Sequence, residues 1–241
     1  LKDIMIRYLQ TVRPETDQEE VARIVSQYNF LAVPVIDQEG QLLGIVTVDE
    51  IVDVIREEAT EDFLQMAGAG KDREILMKSS WDNARSRLPW LFASWVGGVC
   101  AAAIIGIFDN TLQSTLALAA FIPVVIGMGG NIGTQTSTLV VRGLATGRVN
   151  VGNNINIIFK EIRVGLILGI LYGLLLGLFA IMSFVDISPY LGLVVGLGIA
   201  CSMLIATAFG SLVPLLLHRM DIDPAIATGP FVTTSIDILG V

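Results

Sequence analysis

Along the chain, the spacing of apolar positions changes from helical to alternating, back to helical, and finally to near-continuous. Val21, Ile24, Val25 and Tyr28 recur at helical spacing behind Glu15-Thr16-Asp17-Gln18, with Glu19 and Glu20 in the first turn, where a helix dipole favours acids. Leu31 to Ile36 and Leu42 to Val48 are short β-forming runs separated by Asp37-Gln38-Glu39-Gly40, the pattern of a hairpin. Asp49 is then expected to cap a helix from Glu50 to about Ala59. Residues 1–58 are thus expected to fold as helix, strand, turn, strand, helix, a small α/β module. Residues 59–87 read as a polar helical connector broken near Gly68 and Gly70.

Beyond Arg87 the polar positions nearly vanish. A membrane-spanning helix needs about 20 predominantly apolar residues. Uncharged stretches long enough for that predict spans at 88–108, 115–141, 164–185, 190–217 and 224–241. The chain opens on Leu1 without a leader sequence and closes on Gly240 and Val241 inside an apolar stretch, so it is expected to be a fragment with its last helix cut short. The predicted fold class is an α-helical polytopic membrane protein of five spans, the last truncated, preceded by the α/β module.

Composition sharpens this division. The 241 residues are 53% hydrophobic and 16% charged, against about 25% charged in an average soluble domain. Of the net charge of -8, residues 1–87 carry -7 and residues 88–241 carry -1. An acidic balance argues against nucleic acid and anionic lipid headgroups as partners and leaves cations open. Arg85, Arg87, Arg142, Arg148, Lys160, Arg163 and Arg219 all flank one set of span ends, whereas the loops around Asp109 and Asp186 hold no Lys or Arg. The expected orientation therefore has the acidic part cytoplasmic and the C-terminal end outside. Cys100 and Cys201 lie in apolar runs without a CxxC or Cys/His cluster and are expected to be buried thiols. His218, the one histidine, is expected near a helix C-terminus.

Two features in the spans offer chemistry. A charge at the centre of a spanning helix costs about 2.5 to 3.5 kcal/mol even on the lenient insertion scale, and by this reading Asp237 is the single residue that bears the cost. It either lines a polar pathway or lies near the outer interface. Gly127-Met128-Gly129-Gly130-Asn131-Ile132-Gly133 places four glycines in seven residues. Either the helix unwinds there and offers backbone and Asn131 or Gln135 oxygens to an ion, or Gly129 and Gly133 form a GxxxG packing face. The polar run Thr134 to Thr138 favours a lined pathway. Oxygen ligands with one carboxylate suit a hard cation, and Mg2+ is commonly held by one or two carboxylates with several waters retained. Two copies of Asp237 on a twofold axis would set -2 against +2.

Ala120-Phe121-Ile122-Pro123-Val124 leading into Gly127 to Leu139, with Arg142 and Ala145-Thr146 after it, resembles the signature of MgtE-type magnesium channels. So do Phe159-Lys160-Glu161, Asp223-Pro224-Ala225, and Pro230 with Asp237. Residues 1–58 resemble the second of a pair of CBS modules, and Glu58 to Asp62 the connecting helix that follows it. The resemblance implies a homodimeric five-span Mg2+ channel of the inner membrane, not an enzyme, with a pore lined by the second and fifth helices. Asp237 would then hold hydrated Mg2+, and Asn131 and the Gly129 backbone would shape its path. Cytosolic Mg2+ would close the channel by binding acidic surfaces that include Asp49, Asp72 and Asp53, with Glu57 and Glu58 beside them. Gly229 replaces a polar residue of the family pattern, and Ala69 falls near a sensor position without offering a carboxylate. CBS pairs also take adenine nucleotides, which would place Thr47 and Glu50 near a ribose.

Two other classes compete. An embedded enzyme lacks an HExxH motif or a nucleophile-base pair in the spans. An ion-coupled secondary transporter of Mn2+ or Co2+ would use the same hard ligands but would need a proton or sodium gradient.

Overall fold

The computed structural model describes residues 9–70, 77–149, 154–184 and 190–240, without the side chains of Ser114, Asn154 and Pro230. The chain divides into two compact units, Leu1–Asp62 and Phe63–Val241.

In the first unit, helix α1 (Gln18–Tyr28) is capped by Asp17, whose carboxylate accepts from the Glu19 amide at 2.8 Å. Asn29 in the left-handed region closes its other end. Strands β1 (Ala32–Ile36) and β2 (Leu42–Thr47) pair antiparallel, Val33 opposite Val46, as the alternation predicts. Asp37 Oδ1 accepts from the Glu39 and Gln41 amides, and Gly40 takes the positive φ that the turn requires. Val12, Val21, Ala22, Val25, Val33 and Ile51 form the buried core.

Helix α2 (Val48–Met66) departs from expectation at its start and joins the connector expected after Ala59 into one helix. Thr47, not Asp49, sits at the cap, because its amide donates to Glu50 Oε2 at 3.0 Å, one half of a capping box. At the far end, the charged stretch after Ala59 stays helical through Met66, where Gly68 at φ +68° supplies the turn.

In the second unit, α3 (Ser80–Ile107) starts at Ser79, whose Oγ accepts from the Asp82 amide. The short helices α4 (Asp109–Ser114) and α5 (Leu116–Ala119) lead to α6 (Ile122–Ala145), followed by α7 (Asn154–Ser183) and α8 (Tyr190–Arg219). Among the described residues, four helical stretches are long and apolar enough to cross a membrane: Ser80–Ile107, Leu116–Ala145, Ile155–Ser183 and Tyr190–Arg219. The fifth apolar segment does not form a fifth helix of this length. A π-helical turn at Ala227–Phe231 is interrupted at Gly229 (φ -74°, ψ -130°), and α9 (Val232–Leu239) follows. Proline at 230 has no amide to give and disfavours helical backbone in the residue before it, which accounts for the break.

Ile132, Ile199, Met203, Ala206, Val232 and Ile236 form the core between α6, α8 and α9. Outward faces of α3 and α7 remain strongly apolar, including Leu91, Trp95, Leu174 and Phe179. In lipid such faces need no protein cover. For the same reason Cys100 and Cys201 are exposed rather than buried, since an apolar run in a membrane helix has an outer face as well as an inner one. His218 is exposed in the last turn of α8, where a helix C-terminus favours it.

Candidate cation path at the junction of the sixth, eighth and ninth helices

The glycine-rich segment remains in regular α-helix throughout α6, so of the two readings the packed helix is found and the unwound one is not. Its glycines serve close packing instead. A Cβ on Gly129 would meet Ser202 Oγ at 2.6 Å and Ile236 Cγ2 at 3.0 Å, and one on Gly133 would strike the end of the Ile236 side chain. A Cβ on Gly210 of α8 would stand 2.6 Å from the Gly133 carbonyl oxygen. These three contacts bring α6, α8 and α9 to near-backbone separation. Gly129 is therefore buried against protein.

Asn131 lies on the other side of α6. Two residues of helix rotate it about 200° from Gly129, and it is exposed, as are Gly127, Gln135 and Leu139 at four-residue spacing. A lipid-facing stripe would not ordinarily hold two carboxamides. Asp237 is half-buried on α9, one residue past Ile236. Thr233 lies one turn earlier on the same side of α9, its hydroxyl donating to the Gly229 carbonyl at 3.3 Å. Thr234 instead presses on Gly97 of α3. Within one chain, then, Gly129 directly adjoins the helix of Asp237, while Asn131 faces away from that contact. Among the described residues no three His, Cys, Asp or Glu side chains gather as a metal cage.

Asp49 and Asp53 are both exposed, one turn apart on α2. Asp72 lies outside the described residues. Thr47 and Glu50, read above as nucleotide contacts, are hydrogen-bonded to each other through both the amide and the hydroxyl of Thr47.

Helix α7 also carries a buried carboxylate, Glu161. It is 9% exposed and accepts from Thr136 Oγ1 at 3.3 Å. Spacing could have revealed it: Glu161 stands four residues before Gly165, at the head of the row Gly165, Gly169, Gly173, Gly177 that packs on α8. Nearby, the fully buried hydroxyls of Ser137 and Thr228 meet at 3.0 Å and tie α6 to the π-helical turn.

Residues 122–241 match the family model MgtE, described as divalent cation transporter, and residues 1–57 match the CBS domain model. The chain is 38% identical over 239 residues to the magnesium transporter MgtE of Bacillus subtilis, covering 99% of this chain and 52% of that protein. With the protein of the same name from Thermus thermophilus it shares 38% identity over 241 residues, 99% of this chain and 52% of the relative. The Enterococcus faecalis protein of that name is 37% identical over 244 residues, 100% of this chain and again 52% of the relative. The chain spans about half the length of these curated relatives.

Proposed function

The chain belongs to the MgtE family of divalent cation transporters, and on that premise we propose that it conducts Mg2+ passively into the cell as part of a homodimeric channel closed by cytosolic Mg2+. The observation that carries this reading is the seating of Ile236 on Gly129 and Gly133. It joins the helix of the half-buried Asp237 directly to the helix with the exposed Asn131 and Gln135 stripe. A second copy placed against that stripe would turn two open polar faces into one lined path, with two Asp237 carboxylates near its axis. Mg2+ dehydrates reluctantly, so a pair of carboxylates acting through retained waters suits it better than a closed cage.

On this reading the chain lies in the inner membrane with the CBS module in the cytoplasm, as the distribution of Lys and Arg favours. Domain limits of 1–58, 59–87 and 88–241 go with it. Asp49, Asp53 and Asp72 act as the cytosolic sensor, whose crowded like charges separate unless divalent ions bridge them.

The test is Mg2+ uptake by the complete protein in liposomes. Asp237→Asn keeps the shape and one acceptor oxygen of the side chain while removing its charge, and uptake is expected to fall at least about tenfold, the factor that roughly 1.4 kcal/mol of lost ion stabilisation produces. Wild-type uptake in this variant overturns the pore assignment. Uptake that requires an imposed proton or sodium gradient favours a coupled carrier instead.

A further inference from the structure

Helix α2 runs without interruption from Val48 to Met66, 19 residues, or about 28 Å in length. Its first two turns hold Asp49 and Asp53, and its last turn is embedded in the second unit. There Gln65 is 2% exposed and donates from Nε2 to Asp223 Oδ2 at 2.8 Å. The other Asp223 oxygen accepts from the Ala225 amide, also at 2.8 Å, which fixes the carboxylate in the segment between α8 and α9. A separate contact joins the same two elements: a Cβ on Gly229 would stand 3.7 Å from the Gln65 carbonyl oxygen and 3.8 Å from that of Met66. Gly229 is the point at which the π-helical turn breaks. The end of α2 therefore bonds the start of the segment that leads into α9 and lies beside its break at Gly229.

We infer that Gln65 and Asp223 form a latch through which the ion state of α2 sets the position of α9, making Gln65 a positioning residue for the cation path. The inference rests on the gating proposed above and adds the contact that transmits it. A part-buried hydrogen bond to a carboxylate is strong while formed and costly to leave unmade, so it has two states rather than a continuum. A shift of α2 by a fraction of its rise per residue either preserves the bond or breaks it. Because Asp223 is also bonded to Ala225, a shift that preserves the bond takes the start of the segment with it.

Two variants separate a latch from a space-filling role. Gln65→Met keeps nearly the same volume without a donor, and Gln65→Glu with Asp223→Asn rebuilds the bond with its direction reversed while leaving an oxygen for the Ala225 amide. In inside-out patches containing the complete protein, Gln65→Met is expected to raise the cytosolic Mg2+ that halves the current by about tenfold. The double variant is expected to return it to within about twofold of wild type. Hydrogen exchange of peptide 223–231 in the purified protein should rise in Gln65→Met and return in the double variant. Wild-type gating and exchange in Gln65→Met overturn the latch, as does a double variant no better than the single one. If the wild-type protein passes no Mg2+, the transport reading fails, while the exchange measurement still decides the latch.

Discussion

Gly133 is squeezed from two sides: the Ile236 side chain fills the place of its Cβ, and its carbonyl oxygen lies 2.6 Å from where a Cβ on Gly210 would stand. Gly133→Ala therefore forces α6 away from α9 or Ile236 out of its rotamer, a cost of about 1 to 3 kcal/mol for overpacking. The obstructing atom is Ile236 Cδ1, the far end of a flexible side chain, so Ile236→Val should relieve part of the strain. The expected coupling in the double variant is about 1 kcal/mol, read from thermal unfolding of the purified protein in detergent. Strict additivity would place the two residues out of contact. This pair also shows where the sequence was silent. Glycines at 129 and 133 fit both a wet, unwound helix and a packed one, because helical spacing says which residues share a face but not what the face meets.

At the scale of elements, the α7–α8 pair differs from that junction in what glycine meets. Built Cβ atoms on Gly173 and Gly177 would lie 2.7 and 2.6 Å from the carbonyl oxygens of Gly196 and Gly192. Backbone cannot rotate out of the way as Ile236 can. Gly173→Leu is expected to cost about 3 kcal/mol or more, with no recovery from trimming any side chain of α8; thermal unfolding of the single and paired variants would show this. Recovery by a side-chain trim would mean that the helices are farther apart than described. The same row of glycines explains what could and could not be read in advance. Four of the spans were legible because length and hydropathy suffice for them. The helix ends were not, since uncharged stretches start the third segment at Val164 whereas α7 begins at Asn154. The fifth segment was apolar enough to read as a helix, yet Gly229 before Pro230 breaks it, a local backbone preference that hydropathy does not register. Asp49 was misread as a cap because Thr47-Val48-Asp49-Glu50 offers two acids near one helix start, and the three-residue spacing selects Glu50.

For the whole molecule, the decisive quantity is how unevenly the charge of -8 is divided. If closure responded only to total negative charge in residues 1–87, removing any exposed acid there would have the same effect, reduced further by salt screening. A sensor makes the effect depend on position. Asp49 and Asp53 stand at four-residue spacing on the exposed side of α2, where like charges repel and a bridging divalent ion removes the repulsion. Glu39, exposed at the hairpin turn, has the same charge away from that helix. Asp49→Asn combined with Asp53→Asn is therefore expected to raise the cytosolic Mg2+ needed for half-closure about fivefold or more, as a coupling free energy of at least 1 kcal/mol implies. Glu39→Gln is expected to leave it unchanged. Both comparisons belong in the complete protein, measured as current against cytosolic Mg2+ at fixed ionic strength. Equal shifts for the two changes would assign closure to net charge and remove the sensor role from α2. A shift confined to Asp49 and Asp53 would place the cation response on the same 19-residue helix whose far end holds Asp223.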